Sequence, residues 1–234
     1  LACVLSDIQN MGYEVVLVSS GAIAVGRNKL NMTSKPDSMR MKQAAAAVGQ
    51  CSLMYLYDKF FGDYDKTVAQ ILLNAEDIEQ EEKKENLINT FNALLEMGVI
   101  PIVNENDSVS YKEIESEDRL FGDNDMLSAV VAVLCRARHL VILSDIDGFY
   151  DHDPRLYPNA KLIEQIDTID DSVYALAGGA GSRRGTGGMR TKLQAAALAT
   201  SQGTDTIVTN GKHPEALYDI VKGLHAGTLF PGKI

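Results

Sequence analysis

A chain of 234 residues, 45% hydrophobic and 23% charged, has the balance of a folded globular protein and not of a disordered chain. Its formal net charge of -10 argues against a nucleic-acid binder, and no apolar run is long enough to span a membrane. Three widely spaced cysteines (Cys3, Cys51 and Cys135) and four scattered histidines predict neither a disulfide framework nor a metal site. They fit a reducing, cytoplasmic compartment.

Helical and strand patterns alternate along the chain. Apolar spacing predicts helices over residues 1–11, 42–61, 86–98, about 125–138, 189–203 and 214–223. Short apolar runs that end in polar or small residues predict strands over residues 15–22, 67–74, 99–107, 140–148 and 204–211. The charged stretch 111–121 is typical of a loop or hairpin.

This alternation predicts an α/β fold, an αβα sandwich with a mainly parallel central sheet. Pro101 counts against a central position for the third predicted strand. The polar segments SSGA, NEND, SDIDG and TNGKHP follow four of the strands. Because ligands of parallel sheets bind outside the carboxyl ends of the strands, these segments predict a site at that edge.

The stretch LFGDNDML places Asp123, Asn124 and Asp125 directly before an apolar helix. Asp and Asn are preferred helix caps, and acidic groups suit the first turn of a helix. Capping explains one of the three residues, or two, but not readily all three. A second role at a ligand site therefore stays open beside the capping interpretation.

A glycine-rich segment, GTGGMRTK at residues 185–192, precedes another helical pattern. Glycine backbone N–H groups can approach phosphate oxygens closely, and a helix N-terminus favours anions. Lys192 then falls within the first turns of the helix. The segment is neither a Walker A motif nor GxGxxG, so it supports neither a P-loop NTPase nor a standard dinucleotide-binding domain.

Taken together, these stretches resemble the amino acid kinase family, and within it the glutamate 5-kinases. The combination of NEND, GDND and GTGGMxTK is the most specific part of the resemblance. The matching segments cover most of the chain in the family's order: residues 18–27, 42–50, 88–109, 121–129, 140–155 and 185–196.

The resemblance implies ATP-dependent phosphorylation of the γ-carboxylate of L-glutamate, with Mg²⁺, as the first step of proline biosynthesis. It also implies a cytoplasmic homo-oligomer that proline inhibits, without nucleic-acid or membrane partners. A single kinase domain is expected, with a substrate-binding lobe to about residue 138 and a nucleotide-binding lobe from about 139 to 234. The family pattern further implies a strand with a phosphate-binding lysine before Leu1, and the short form that lacks a C-terminal PUA domain.

For the substrate, the resemblance implies that Ser20 and Gly21 hold glutamate at the end of the first strand. Asp107 is expected to bind the α-amino group, because a confined ammonium needs an anionic partner. Asn124 is expected to hydrogen-bond the substrate carboxylates. Asp123 is expected to support substrate binding or to cap the helix.

For phosphoryl transfer, Lys192 is expected to clamp the phosphates, and Asp125 to orient that lysine without touching phosphate itself. Ser144 and Asp145 are expected to border the nucleotide. The resemblance adds the whole segment at the start of the following helix: Thr186, Gly187, Gly188, Met189, Arg190, Thr191 and Lys192.

Two other interpretations remain at this point. The first is a kinase of the same fold that acts on another carboxylate or on carbamate, and the second is a non-catalytic domain that senses an amino acid. The charged segment 110–122 is predicted to be a loop that helps to bind glutamate or proline.

Overall fold

The computed structural model describes residues 1–109, 124–177 and 186–233. The chain divides into an N-terminal unit, Ala2–Asn124, and a C-terminal unit, Asp125–Ile234 together with Leu1. The division therefore lies between Asn124 and Asp125, at the start of the helix predicted over about 125–138. The predicted lobe boundary lay at the other end of that helix, near residue 138. The assignment of substrate to one lobe and nucleotide to the other stays a prediction. The predicted loop 110–122 and Asp123 lie outside the described residues.

The N-terminal unit contains the first three strands of the described chain and the helices between them. The helices are α1 (Ala2–Asn10), α2 (Ala22–Lys29), α3 (Met39–Gly62), α4 (Ala75–Glu79) and α5 (Glu81–Glu96). The strands are β1 (Leu17–Val18), β2 (Val68–Leu73) and β3 (Ile100–Glu105). The helices predicted over 1–11, 42–61 and 86–98 are confirmed as α1, α3 and α5. Helices α2 and α4 were not predicted.

These strands form a parallel sheet in the order β1-β3-β2. Leu17 pairs with Ile102, and Ile71 pairs with Val103. The central strand is buried along most of its length, and Phe91 of α5 is fully buried. Because all three strands are parallel, the polar segments after β1 and β3 leave the sheet at the same edge.

Pro101 lies in the central strand of this sheet, contrary to the expectation from sequence. The Ile100 N–H donates to the Thr67 carbonyl on the β2 side, whereas the Val103 carbonyl accepts from the Ser19 N–H on the β1 side. Because successive backbone groups alternate between the two neighbours, the Pro101 nitrogen faces the β1 side. Pairing with β1 begins only one residue later, so the missing N–H interrupts no bond of the ladder.

The first strand is much shorter than the predicted 15–22. Gly21 has a φ of 88°, a left-handed conformation that glycine adopts without a steric penalty. It caps α2, which begins at the next residue. The backbone therefore turns away from the sheet directly after Ser19 and presents Ser20 and Gly21 as an exposed turn at the carboxyl end of β1.

Helices α2 and α3 cross at two glycines. A Cβ atom on Gly26 would lie 1.7 Å from the Ala45 carbonyl oxygen, and a Cβ atom on Gly49 would lie 1.8 Å from that of Ala22. Only glycine permits this backbone approach. The crossing fixes α2, and with it the turn at Gly21, against the long helix α3.

The C-terminal unit has its own sheet and core. Its helices are α6 (Asn124–Leu134, whose first residue belongs to the other unit), α7 (Asp171–Ala177), α8 (Thr186–Ser201) and α9 (Ala216–Val221). Its strands are β4 (His139–Ser144), β5 (Asp205–Asn210) and β6 (Thr228–Phe230). β4 and β5 pair in parallel, and β6, which was not predicted, pairs antiparallel to β5.

The core of this unit joins its helices to its sheet. Ala129 of α6, Leu193 of α8 and Val208 of β5 are among the buried residues of one continuous cluster. Helix α6 ends at Leu134 and not near 138 as predicted. Arg136 takes a left-handed φ of 48°, and the Ala137 N–H reaches back to the Ala132 carbonyl, which closes the helix.

Gly49→Ala should destabilise the protein by about 2 kcal/mol or more, because the added methyl group must push α2 and α3 apart. The matched control is Gly62→Ala at the end of the same helix, where a Cβ meets nothing within 4 Å. That control should be neutral, or stabilising by up to about 1 kcal/mol. Urea unfolding of both variants measures the difference, and equal stabilities would show that α2 and α3 do not cross at Gly49.

Candidate functional site

The carboxyl edge of the N-terminal sheet carries the first group of predicted site residues. Ser20 and Gly21 follow β1, and Asp107 follows β3. Ser19 is 4% exposed, and its N–H donates to the Val103 carbonyl at 2.8 Å, so β3 fixes the start of the Ser20–Gly21 turn. The turn after β3 is fixed from the other side, because the Asn106 N–H donates to the Leu73 carbonyl of β2 at 2.9 Å.

Asp107 is the unusual acid of this edge. Its side chain is partly buried, and burial raises the pKa of its carboxyl above the ordinary value of 3.8. Within the described ranges, no hydrogen bond or ion pair reaches the Asp107 carboxylate. Because it is partly buried and has no partner in the part of the chain that the structure describes, the Asp107 carboxylate is electrostatically suited to receive a cationic group from a ligand.

In the C-terminal unit, Lys192 and Asp125 form an ion pair. The Lys192 Nζ donates to both carboxylate oxygens of Asp125, at 3.1 Å and 2.9 Å. The two side chains are only 15% and 12% exposed. Thr191 strengthens the arrangement, since its hydroxyl donates to Asp125 Oδ2 at 3.0 Å. The contact required by the predicted orienting role of Asp125 is thus present, and the catalytic role itself stays a prediction.

The two partners are held by the starts of two helices. Asp125 lies in the first turn of α6, directly after Asn124, and Ser128 one turn later donates to its carbonyl at 2.6 Å. Lys192 lies in the second turn of α8, which begins at Thr186. The Asp125 carboxylate therefore lies where a negative charge stabilises the N-terminus of α6, as expected if Asp125 only caps the helix. It also binds Lys192, as expected if Asp125 belongs to a ligand site.

The glycine-rich segment forms the start of α8 itself. Thr186, Gly187 and Gly188 occupy its first turn, where backbone N–H groups have no partner within the helix. Met189 packs its side chain against the core of the unit, and Arg190 is exposed. The first turns of α8 therefore combine N–H groups that have no intrahelical partner, a positive helix end and Lys192, a combination that favours a phosphate group.

Ser144 and Asp145 lie at the carboxyl end of β4, as predicted. The Gly211 N–H donates to the Ser144 carbonyl at 2.8 Å, so the turn after β5 is joined to the end of β4. Ser144 Oγ donates to Asp145 Oδ1 at 3.3 Å, and Asp145 is exposed. These two residues border the space beyond the sheet edge of this unit.

Sequence reasoning missed a second acid at this edge. Asp147 accepts from Asn210 Nδ2 at 2.7 Å and from the Tyr150 hydroxyl at 3.1 Å. Burial, and then the Asp147 carboxylate, raise the pKa of Tyr150. Asp147 thereby links the segment after β4 to the end of β5. Asp147 follows β4 and Asn210 is the last residue of β5, so their placement at strand ends was the available signal.

Of the predicted residues, the structure joins Asp125, Thr191 and Lys192 by direct contacts and places Ser144 beside Asp145. Within the described ranges, no three or more His, Cys, Asp or Glu side chains are grouped so that they could hold a metal ion. No helix of those ranges has the length and apolar character needed to cross a bilayer.

Comparison with known proteins adds relatives over the whole chain. The sequence profile of the amino acid kinase family matches residues 1–210. The glutamate 5-kinase of Clostridium perfringens (strain 13 / Type A) is 56% identical over 233 residues, which covers 100% of this chain and 86% of that protein. The glutamate 5-kinase of Listeria innocua serovar 6a is 50% identical over 233 residues, which covers 100% of this chain and 84% of that protein.

Solved structures share the fold at low identity. Carbamate kinase from Giardia lamblia bound to AMP-PNP gives a TM-score of 0.67 at 16% identity, over 98% of this chain and 88% of that one. Isopentenyl phosphate kinase of T. acidophilum gives a TM-score of 0.64 at 19% identity, over 98% of this chain and 87% of that one. These likenesses confirm the predicted α/β fold with mainly parallel strands.

Asp107→Asn should raise the melting temperature at pH 7. Because the pKa of Asp107 is raised in the folded state, the native protein loses stability as pH rises from about 4 through that pKa. The neutral amide removes this loss, so the gain over wild type should shrink as pH falls towards 4. Thermal melts across this range measure it, with Asp58→Asn on an exposed position of α3 as the charge control. A gain that does not depend on pH, or that Asp58→Asn reproduces, would contradict the expectation.

Proposed function

Because the chain belongs to the amino acid kinase family, we propose that it phosphorylates the γ-carboxylate of L-glutamate with ATP. The product is γ-glutamyl 5-phosphate, and the reaction is the first step of proline biosynthesis. The observation that carries this proposal is the match over the full chain to glutamate 5-kinases of several bacteria.

The reaction needs positioning and charge stabilisation more than proton transfer. A γ-carboxylate oxygen attacks the γ-phosphorus of ATP, a new P–O bond forms, and the bond to the β-phosphate oxygen breaks to release ADP. The carboxylate is already ionised at neutral pH, so no general base is required. The chain must supply cationic groups for the phosphates and a pocket that orients the amino acid.

Lys192 and Asp125 supply the cationic group and its orientation. The lysine ammonium stabilises negative charge on the moving phosphoryl group, and the Asp125 carboxylate holds it at 2.9 Å. Two contacts to the carboxylate and a partly buried site restrict the motion of the long lysine side chain. Asp125 itself is an anion, so it acts through Lys192 and does not contact phosphate.

The remaining nucleotide contacts come from the edge of the C-terminal sheet. Gly187, Gly188 and Met189 offer backbone N–H groups at the start of α8, and Ser144 and Asp145 border the nucleotide. Mg²⁺ is part of the substrate as MgATP, since this ion is usually held by one or two carboxylates together with substrate phosphates and water. Shielding of phosphate charge is the chemistry that it supplies.

The amino-acid contacts come from the edge of the N-terminal sheet. The partly buried Asp107 carboxylate pairs with the α-ammonium of glutamate, which compensates the burial of its charge. Ser20 and Gly21 hold the substrate at the exposed turn after β1. Asn124 donates to the substrate carboxylates, and Asp123 supports that contact. These assignments rest on the resemblance to glutamate 5-kinases, and for Ser20, Gly21, Asp107 and Asn124 also on their places at strand or helix ends.

We further place the enzyme in the cytoplasm as a homo-oligomer that proline inhibits. Its three cysteines, Cys3, Cys51 and Cys135, form no disulfide, which fits a reducing compartment. A non-catalytic sensor would need neither a phosphate-binding helix start nor a lysine held by an acid, so the Lys192–Asp125 pair favours a kinase. A carbamate kinase shares the fold only at 16% identity, which favours glutamate as the acceptor.

The direct test of the activity is to trap its product. Purified protein with MgATP, hydroxylamine and L-glutamate should yield ADP and γ-glutamyl hydroxamate, because hydroxylamine cleaves an acyl phosphate at the carbonyl carbon. Aspartate, N-acetylglutamate and carbamate serve as competing acceptors in parallel reactions. Preference for one of these acceptors, or ADP release without hydroxamate, would overturn the proposed function.

Asp107→Asn should mainly raise the KM for glutamate, with kcat nearly unchanged. Its pairing with the ammonium exists in the ground state and the transition state alike, so its loss removes uniform binding. Loss of a charge-assisted pair in a confined site costs on the order of 2–4 kcal/mol, which corresponds to roughly 30-fold or more in KM. Steady-state kinetics on Asp107→Asn and on the control Asp58→Asn measure the effect. A fall in kcat at constant KM would contradict this role.

A further inference from the structure

Helix α3 carries two polar side chains towards the carboxyl edge of the N-terminal sheet. Gln50 and Tyr57 are seven residues apart, so they lie two turns from each other on the same side of the helix. Each is partly buried, and each bonds to a residue at the end of a strand. Neither belongs to the residues that the proposed function uses.

Tyr57 bonds to the end of β1. Its hydroxyl lies 2.8 Å from Ser19 Oγ, and Ser19 is nearly fully buried. The N–H of the same serine is bound to the Val103 carbonyl of β3. Ser19 is therefore fixed through both its backbone and its side chain, and it immediately precedes the exposed turn Ser20–Gly21.

Gln50 bonds to the end of β3 in the same way. Asn104 is 2% exposed, and its Nδ2 donates to Gln50 Oε1 at 2.8 Å. The other end of the Asn104 amide accepts the N–H of Glu105 at 2.9 Å. Asn104 thus connects α3 to the backbone of Glu105, and this backbone leads through Asn106 to Asp107.

We propose that Tyr57 and Gln50 are positioning residues for the amino-acid substrate. Tyr57 and Gln50 both lie on α3, and they bond to Ser19 and Asn104. Through these bonds the helix fixes the distance between the Ser20–Gly21 turn and the Asp107 carboxylate. This inference rests on the proposed function, because it takes these two features as the glutamate contacts. Apolar side chains could fill the same space without the cost of burying polar groups, so the hydrogen bonds add directional placement to packing.

The position of α3 itself is well determined. Its backbone touches α2 at the Gly26–Gly49 crossing, and Phe61 near its end is 1% exposed. A misplaced glutamate pocket weakens binding in the ground state and the transition state equally. The residues proposed to act on the phosphoryl group lie on two other helices, α6 and α8.

The test is Tyr57→Phe, which removes only a hydroxyl group, against Tyr55→Phe, which removes the same group from an exposed position on the same helix. Tyr57→Phe and Gln50→Met should each raise the KM for glutamate about 3- to 10-fold, the effect of one neutral hydrogen bond. Both kcat and the KM for ATP should stay unchanged. Tyr55→Phe should match wild type in all three constants.

A double-mutant cycle identifies the bond that is responsible. Ser19→Ala should raise the KM for glutamate as Tyr57→Phe does, and the double variant should show little further increase. Ser19→Ala also replaces Tyr57→Phe as the test if that variant does not fold. Thermal melts of every variant, read beside the kinetic constants, distinguish a general loss of structure from a change confined to glutamate binding.

Calorimetric binding of glutamate separates this inference from the proposed function. Loss of affinity in Tyr57→Phe and Gln50→Met, in a protein that binds glutamate but forms no acyl phosphate, would overturn the function and support the positioning role. A wild type that forms the acyl phosphate, with the same KM for glutamate in Tyr57→Phe, Gln50→Met and Tyr55→Phe, would overturn the positioning role alone. A lower kcat at constant KM would overturn it as well.

Discussion

The ion pair between Lys192 and Asp125 is the interaction on which the candidate phosphate-binding residues of the C-terminal unit depend. It joins the first turn of α6 to the second turn of α8, and both side chains are largely withdrawn from water. Removing one partner would leave an uncompensated charge largely withdrawn from water, which would destabilise the folded protein. The pair therefore joins the starts of two helices and holds the ammonium of Lys192 in place within α8.

The carboxyl edge of the sheet in the N-terminal unit shows the opposite arrangement, an acid left without a protein partner among the described residues. Burial raises the pKa of Asp107. Because the carboxylate is therefore harder to ionise in the folded state than in the unfolded state, it lowers the stability of the folded protein at neutral pH. At the ends of β1 and β3, two buried polar side chains are hydrogen-bonded to α3: Ser19 to Tyr57, and Asn104 to Gln50. A carboxylate that is destabilising in the free protein, inside a framework that is rigid, suits binding of a cationic substrate group.

Sequence periodicity predicted the long elements because local pattern and tertiary packing agree in them. α3, α5 and β5 lie within the predicted ranges or extend them by a few residues. Helix α2 escaped prediction since Gly26 weakens its helical pattern, and its crossing partner Gly49 is 23 positions away in sequence. The early end of α6 at Leu134 depends on the left-handed conformation of Arg136, which the residue type gives no reason to expect. The Asp125–Lys192 contact was expected from family resemblance, whereas the bonds of Tyr57 and Gln50 join residues 38 and 54 positions apart.

Asp125→Asn measured by rapid-quench single turnover tests most directly whether an acid-held lysine drives the transfer. With saturating MgATP and glutamate, the rate of acyl phosphate formation should fall on the order of 100-fold, because the lysine loses its charged anchor and moves from the transferring group. The dissociation constant of glutamate should stay close to that of wild type. An unchanged transfer rate, or an equal loss of glutamate binding and melting temperature, would show that Asp125 is a helix cap and that Lys192 needs no orientation by it.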